Sequence, residues 1–330
     1  MKLFLKVVLS GILLVSLVLI GFRLAAGARE VGNLRAELPK EGRLVATTEG
    51  AVFLLEQGPS DTPTVLFAHG TAAWSGLWRP TLDAVAEAGF HAIAFDMPPF
   101  GWSEHAEKGD YSRVRQSDRV IGLLEALDRK PIVVAHSIGA GPISEAVMRR
   151  PDLVSGLVVV SGAIALGGHE TAKSTPIFLR NQAVREHLVS ATVSNPLLTR
   201  QFLRSFLFNK DAASPEIVAV LQEPMQREGY TRAVAHWLPQ LFLAPQDAMS
   251  TRPKNWRDLK LPVGLIWGQE DTVTPVEQAG HLAALVPDAQ LVILQGVGHI
   301  PQIEDPSAFQ DALTEMLQNI SDRNFQEADS

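Results

Sequence analysis

The 330-residue sequence contains no cysteine, which excludes disulfide bonds, thiolate metal sites and a cysteine nucleophile. It also lacks a concentrated run of Lys and Arg, and its formal net charge is −7. Because binding to phosphate groups requires clustered positive charge, nucleic acid is not expected as a partner. No two histidines stand at metal-ligand spacing on one predicted helix, so neither a metal ion nor another cofactor is expected.

Internal repeats and low-complexity tracts are absent from the sequence as well. Hydrophobic residues make up 46% of the chain and charged residues 20%, values typical of a globular protein rather than a disordered one. A chain of this length is expected to form one large domain with an insertion, or two modest domains.

The first thirty residues differ in kind from the rest of the chain. An uncharged apolar run extends from Val7 to Phe22, with Lys2 and Lys6 before it. With its flanking residues this run is long enough to cross a bilayer as a helix. We therefore expect residues 1–28 to form a single-pass membrane anchor, with the body of the protein exported. The small-x-small sequence at residues 26–28 leaves a cleaved signal and a secreted body as the alternative.

Beyond this segment, short apolar runs alternate with segments that have helical spacing. Such alternation with short connections is typical of parallel βαβ units covered by helices on both faces. A hairpin of two edge strands is predicted within Leu44–Gln57, around the turn signal Glu49-Gly50. The predicted buried strands are Thr64–Ala68, His91–Asp96, Ile132–Ala135 and Leu153–Val160, and two further strands are predicted at Val263–Trp267 and Gln290–Leu294.

The alternation is interrupted at residues 165–251, where helical stretches occur without a convincing strand. We predict that this segment is a helical cap, inserted between a first part of the core at 44–164 and a second part at 252–320. The polar and charged residues 29–43 are predicted to form a linker. The polar residues 321–330, which follow a closing helix, are predicted to be a disordered tail.

Three polar residues follow predicted strands at the sheet edge where open parallel sheets bind their ligands. Ser137 follows the strand that ends at Ala135, and Asp271 and His299 come after the last two strands. A serine hydroxyl is a weak nucleophile and needs a base, which in turn needs an acid to fix its tautomer. A serine, a histidine and an aspartate at one edge could therefore act together.

On these residues the sequence resembles the α/β-hydrolase superfamily, specifically its esterase- and lipase-like serine hydrolases with a helical cap after the sixth strand. The chain order Ser, Asp, His is the order found in that family. The resemblance covers roughly residues 44–320. It implies a mostly parallel, doubly wound sheet with the nucleophile at Ser137, the base at His299 and the acid at Asp271. Glu270 is the alternative acid.

The same resemblance assigns roles to the residues around the serine. The family pattern G-x-S-x-G places small residues on both sides of a tight turn, and here they are Ala135 and Gly139. Ala135 departs from the pattern, which has glycine at that position. The backbone N–H groups of Ile138 and Thr71 are the expected oxyanion donors.

Two histidines and an aspartate near these positions are given supporting roles. Gly70 is expected to let the backbone turn close to the substrate, His69 to brace that loop, and His136 to point into the fold. Asp96 begins a segment that resembles the family's D-x-P-G-x-G-x-S loop, in which the aspartate is structural. Six aromatic residues are candidates either for an apolar pocket or for the core: Trp74, Trp78, Phe100, Trp102, Trp237 and Phe242.

The function implied by the resemblance is hydrolysis of a carboxylic ester with a small hydrophobic acyl substrate, through an acyl-enzyme. The serine nucleophile argues against epoxide hydrolase and haloalkane dehalogenase chemistry. The alternatives are a perhydrolase or acyltransferase, a non-catalytic binding protein on a hydrolase fold, and a meta-cleavage carbon–carbon hydrolase. The last would need cationic cap residues, for which Arg180, Arg185, Arg200 and Arg204 are available.

Overall fold

The computed structural model describes residues 1–32, 38–167, 175–243, 245 and 247–328. Its centre is an eight-stranded sheet. The strands are β1 (Gly42–Thr47), β2 (Gly50–Gln57), β3 (Thr64–Ala68), β4 (His91–Phe95), β5 (Ile132–His136), β6 (Gly156–Val160), β7 (Val263–Gly268) and β8 (Gln290–Leu294).

The strand order is β1-β2-β4-β3-β5-β6-β7-β8. The first two strands form the predicted hairpin, and all pairings from β4 onward are parallel. Only β1 of the hairpin is an edge strand, because β2 also pairs with β4. The expectation of two edge strands was therefore wrong for β2. The five strands from β3 to β7 are buried along their whole length, as expected for strands covered on both faces.

Helices cover both faces of this sheet. The cluster on one face includes side chains of α3, α4 and α10, and the cluster on the other face includes those of α2 and α12. The helices are α1 (Lys2–Arg29), α2 (Arg79–Glu87), α3 (Arg113–Leu127), α4 (Ala140–Arg149), α5 (Gln182–Ala191), α6 (Thr199–Phe206), α7 (Pro215–Gln222), α8 (Tyr230–Trp237), α9 (Pro253–Arg257), α10 (Glu277–Ala283), α11 (Pro301–Glu304) and α12 (Pro306–Ala328). The α/β-hydrolase fold expected from the sequence is thus confirmed.

Between β6 and β7 the described residues form α5 to α9 and short 3₁₀ turns, without a strand of the sheet. At the C-terminal end, α12 continues to Ala328, so the prediction of a disordered tail from residue 321 was wrong for residues 321–328. Neither Gly nor Pro interrupts this stretch, and Asn324 Nδ2 donates to the Ser155 carbonyl at 3.1 Å. Residues 329–330 lie outside the described residues.

Helix α1 is the one helix among the described residues with the length and composition to cross a membrane. Its residues 4–18 are exposed, whereas its last turns pack against α5 through positions three or four residues apart. These positions are Leu19, Phe22, Arg23, Ala26 and Arg29.

The start of the predicted linker is attached to the cap. The Gly32 N–H donates to the Gln226 carbonyl, and the Glu228 N–H donates to the Gly32 carbonyl, both at 3.1 Å. Glu30 is also buried, and it accepts a hydrogen bond from Thr231. A linker was thus the wrong expectation for residues 29–32, because their polar groups are paired with cap residues. Residues 33–37 of the predicted linker lie outside the described residues.

Gly268 at the end of β7 is a position where any side chain would displace a neighbouring loop. A Cβ there would lie 2.1 Å from the Gly298 carbonyl oxygen and 2.4 Å from that of Val297. We expect Gly268→Ala to lower the free energy of unfolding by about 1–3 kcal/mol, because backbone atoms must move. Thermal unfolding in detergent measures the effect. The matched control is Gly280→Ala at an exposed position of α10, where no described atom lies within 4 Å of the added Cβ and stability should hold or rise. Equal melting temperatures for the two variants would contradict this account.

Candidate active site

Ser137 lies on the sharp turn between β5 and α4. Its φ is +54°, a left-handed conformation that residues with side chains rarely adopt. A Cβ at Gly139 would lie 2.5 Å from the His69 carbonyl oxygen, so only glycine fits there. Ala135 is fully buried in β5, and its methyl group is accommodated where the family pattern has glycine. This turn sets the serine hydroxyl at the carboxyl edge of the sheet.

A chain of hydrogen bonds connects Ser137, His299 and Asp271. His299 Nε2 lies 2.8 Å from Ser137 Oγ, and His299 Nδ1 lies 2.9 Å from Asp271 Oδ2. All three side chains are buried. With Nδ1–H donating to the carboxylate, Nε2 is the nitrogen that can accept the serine proton. The structure therefore brings together the nucleophile, base and acid predicted from the sequence.

Asp271 is surrounded by donors that favour its charged form. Its Oδ1 accepts hydrogen bonds from the N–H groups of Val273 at 2.8 Å and Thr274 at 2.9 Å. Burial by itself raises the pKa of Asp271, but the hydrogen bond and charge of His299 and the hydrogen bonds of Thr274 outweigh it. The pKa of Asp271 consequently lies below its ordinary value. Glu270, the alternative acid, is exposed.

Thr274 is a residue of this site that the sequence did not single out. Its hydroxyl lies 2.8 Å from Asp271 Oδ2, 3.1 Å from the Ser161 carbonyl oxygen and 3.3 Å from His299 Nδ1. It therefore orients the carboxylate and connects it to the end of β6. The available signal was a threonine three residues after an aspartate, a spacing that favours an Asp-capped turn.

Two further predicted residues, His69 and His136, are buried and neutral. The Met97 N–H donates to His69 Nε2 at 2.9 Å, and His69 Nδ1–H donates to the Gly70 carbonyl at the same distance. His136 Nε2–H donates to the His299 carbonyl at 2.9 Å. Burial lowers the pKa of His69 to about 4 and, with the nearby His299, that of His136 to about 3. Both rings are thus positioned to hold loops of the site.

The loop at Gly70 closely approaches the serine. A Cβ on Gly70 would lie 3.0 Å from Ser137 Cβ and 2.8 Å from His136 Nδ1. Thr71 lines the same small cavity as Ser137, and Ile138 follows the serine directly. Within the described residues, the Thr71 N–H donates to no protein acceptor. The two expected oxyanion donors are thus on the two segments that meet at the serine.

Asp96 has the contacts of a residue that shapes a loop. It accepts hydrogen bonds from the N–H groups of Ser75 and Trp102, both at 2.6 Å, and burial raises its pKa to about 6. A Cβ at Gly101 would lie 2.1 Å from Asp96 Oδ2, so glycine allows the loop to fold around this carboxylate. No hydrogen bond among the described residues joins Asp96 to Ser137, His299 or Asp271.

Glu304, at the end of α11, holds the loop that carries His299. One carboxylate oxygen accepts from Gly298 N–H at 3.1 Å, and the other accepts from Ile300 N–H at 3.1 Å. The same carboxylate accepts from the N–H groups of Phe208 at 2.7 Å and Asn209 at 2.9 Å, which follow α6 of the cap. No sequence motif pointed to Glu304, because these donors are brought together only by the fold.

A small apolar cavity with a free volume of about 30 Å³ opens at Ser137 and His299. Its walls come from the cap and from the loop after β3, and its apolar lining consists of Ala72, Ala73, Leu77, Val193, Phe202, Leu203, Phe206, Leu221, Met225 and Ile300. A second cavity of about 1260 Å³ lies on the side of Ile138 and Gly70 and includes Arg113 and Gln116.

The candidate pocket residues are only partly found in these cavities. Phe100 and Trp237 line the larger one. Trp74, Trp78 and Trp102 are buried in the core, which was the alternative interpretation, and Phe242 is partly exposed. None of the four candidate arginines of the cap is among the described residues that line either cavity. Across the described residues, no group of three or more His, Asp or Glu side chains could hold a metal ion.

Comparison with known proteins identifies the family. Residues 63–306 match the family model described as alpha/beta hydrolase fold, so this chain belongs to the α/β-hydrolases and is an enzyme of that family. LipZ, named as a hydrolase of Mycobacterium tuberculosis, is 27% identical over 286 residues, which cover 84% of this chain and 95% of LipZ.

Two other proteins are similar over most of the chain. The 2-hydroxymuconate semialdehyde hydrolase of Pseudomonas sp. strain CF600 is 27% identical over 251 residues, 75% of this chain and 83% of that protein. The crystal structure of a bacterial membrane phospholipase A has a TM-score of 0.65 at 20% identity and covers 97% of both chains. At 20% identity, the similarity to the phospholipase structure shows a shared fold and nothing more.

Thr274 provides a test of how Asp271 is positioned. We expect Thr274→Val to lower kcat/KM for a chromogenic ester roughly tenfold, since one hydrogen bond to a charged group contributes about 1.5 kcal/mol. Thr274→Ser retains the hydroxyl and should stay within about twofold of the unmodified protein. If the valine and serine variants had equal activity, the hydroxyl would have no part in orienting the carboxylate.

Proposed function

We propose that this α/β-hydrolase is a serine hydrolase that cleaves carboxylic esters with a hydrophobic acyl group. The observation that carries the proposal is the hydrogen-bonded series Ser137, His299 and Asp271, which faces an apolar cavity. The strained turn at Ser137 supports the role of nucleophile, since such strain is concentrated at functional sites.

In the proposed reaction, Ser137 Oγ attacks the ester carbonyl carbon while His299 Nε2 takes its proton. Asp271 stabilises the imidazolium and keeps it in the correct orientation. The N–H groups of Ile138 and Thr71 stabilise the oxyanion of the tetrahedral intermediate. His299 then protonates the leaving alcohol, and a water molecule, activated by the same histidine, releases the acid from the acyl-enzyme.

The preference for a hydrophobic substrate follows from the walls of the cavity over Ser137. Its lining is apolar apart from Thr71, Thr199 and the residues of the reaction site. A cavity of about 30 Å³ has room for only two or three water molecules, each of which needs about 10–15 Å³. A substrate must therefore displace cap side chains, which come chiefly from α6. The cap would set the chain-length preference in this way.

A meta-cleavage carbon–carbon hydrolase is the second candidate, because the relative from Pseudomonas is named 2-hydroxymuconate semialdehyde hydrolase. Such a substrate carries a carboxylate that needs a cation. Among the described residues that line the larger cavity, Arg113 is the one Lys or Arg, and its guanidinium already donates to the carbonyls of Ala163 and Ile164. A perhydrolase or acyltransferase would use the same acyl-enzyme with a different acceptor.

We also propose that α1 is retained as a single-pass membrane anchor and that the body is exported. Ala26 in the alternative cleavage sequence is fully buried against the cap, and residues 26–28 are helical rather than extended. The neighbouring Arg29 donates to the carbonyls of Ser194 at 2.8 Å and Met225 at 3.1 Å. These contacts favour a helix that remains part of the folded protein over a leader that is removed.

An activity-based probe tests the nucleophile. We expect a fluorophosphonate to label the protein covalently at Ser137, because the probe reacts with an activated serine hydroxyl. Labelling should disappear in Ser137→Ala and persist in Ser144→Ala, which removes a buried hydroxyl of α4 that has no hydrogen-bond partner among the described residues. Folded protein that resists the probe, or that is labelled in Ser137→Ala, would contradict the proposed serine chemistry.

Steady-state assays distinguish the two substrate classes. We expect the full-length protein in detergent to hydrolyse p-nitrophenyl esters, with kcat/KM changing by at least about tenfold across acyl lengths from two to twelve carbons, because buried methylenes are worth about 0.8 kcal/mol each. A 2-hydroxy-6-oxo dienoic acid should not be turned over. Turnover of the dioxo acid without ester hydrolysis would replace the proposal by its second candidate.

A further inference from the structure

The free part of α1 is shorter than a membrane is thick. Residues 4–18 are exposed, and fifteen residues of helix extend about 22 Å. The hydrocarbon core of a typical bilayer is about 30 Å thick. If α1 crosses the bilayer, about five more residues must lie within the apolar layer, and these are residues 19–23. That segment is the one that begins to pack against the cap.

The contacts of α1 show which part of the cap lies beside this segment. Arg23 forms an ion pair with Glu186 of α5 at 3.0 Å. Further along α1, Arg29 donates to the carbonyl of Ser194, which follows the end of α5. Residue numbers therefore increase along both segments in the same direction. It follows that the beginning of α5 points toward the exposed apolar part of α1, and its end points away from it.

The membrane-directed end of α5 carries exposed apolar side chains. Val184 in the first turn is 41% exposed, and Ile177 in the 3₁₀ turn just before α5 is 79% exposed. Arg180, between them, is exposed as well. Apolar side chains together with a basic residue are the composition of segments that lie in the lipid headgroup region.

We propose that this edge of the cap, residues 177–184, is inserted into the interfacial layer of the membrane that α1 crosses, so that lipid is its binding partner. The inference rests on the proposed retention of α1 as an anchor. Residues 19–23 then complete the span of α1, and the adjoining cap residues lie at the boundary of the apolar layer. The Arg23–Glu186 pair is located where both charged groups can reach the headgroups.

The position of the cap edge has a consequence for substrate entry. The segment that starts at Ile177 continues through α5 to Val193, which lines the cavity over Ser137. A hydrophobic ester dissolved in the bilayer would therefore meet the cap before it meets water. The partner surface and the apolar wall of the proposed active site belong to one continuous piece of chain.

The absence of native cysteine makes this proposal directly testable, because each introduced cysteine is the only labelling site. The variants are Leu9→Cys in the free part of α1, Ile177→Cys, and Leu197→Cys as the matched control. Leu197 is an equally exposed apolar residue of the cap, at 82%, but follows the opposite end of α5. The full-length variants are labelled with a nitrobenzoxadiazole fluorophore and reconstituted in phosphatidylcholine–phosphatidylglycerol vesicles.

Spin-labelled lipid and aqueous iodide then serve as quenchers. We expect lipid quenching at positions 9 and 177 to exceed that at position 197 at least threefold, and iodide to quench position 197 most. Equal behaviour of positions 177 and 197, with position 9 in lipid, would overturn the inference and leave the anchor intact. If the label at position 9 were not quenched by spin-labelled lipid, both the inference and the proposed anchor would be overturned.

A contact with a second copy of the chain is the remaining explanation for a protected position 177. In that case the fluorophore would be shielded from iodide and from spin-labelled lipid alike, and the shielding would increase with protein density in the vesicles. This result would overturn the lipid assignment. The measurement does not require turnover, so it can be made in the Ser137→Ala background, and failure of the proposed esterase chemistry would leave it unaffected.

Discussion

The left-handed backbone of Ser137 is the constraint on which the proposed site depends. A residue with a side chain is held in this conformation at a cost of order 1–3 kcal/mol, which the surrounding structure must supply. The Ala163 N–H donates to the Ser137 carbonyl at 2.9 Å, and Gly139 allows the next turn to approach the His69 carbonyl. The buried strand β5 fixes the other side of the turn. The hydroxyl is thereby held in one position relative to His299.

Burial keeps some ionisable groups around this turn neutral, whereas hydrogen-bond donors keep another in its charged form. His69 and His136 are buried without a carboxylate partner, so desolvation keeps both rings neutral. Asp271 is buried too, but its donors hold it in the charged form next to His299. Burial raises the pKa of Asp96, which shapes a neighbouring loop and does not contact His299. Of these four residues, only Asp271 combines a stable charge with contact to the histidine.

The sequence was sufficient for the features that depend on local pattern. Buried β-branched runs marked the strands, and the ends of those strands located Ser137, Asp271 and His299 at one edge. Glu304 was missed because its partners Phe208 and Asn209 come from a distant segment that only the fold brings to it. Thr274 had a local signal in its spacing from Asp271, but its contacts with Ser161 and His299 depend on the fold. The same reason explains residues 29–32, whose polar groups suggested solvent but are paired with the cap. The polar composition of residues 321–328 likewise led to the prediction of a disordered tail, although polar residues can form a helix.

Glu304 joins the loop that carries His299 to the cap. Its carboxylate accepts from Gly298 and Ile300 beside the histidine and from Phe208 and Asn209 of the cap. A cap of another shape could replace the present one only if it again offered backbone N–H groups at this point, because a buried carboxylate without its donors is costly. The cap is therefore not freely interchangeable, because it is joined to the loop of His299 by the Glu304 carboxylate and by the His299 N–H, which donates to the Phe206 carbonyl at 3.3 Å.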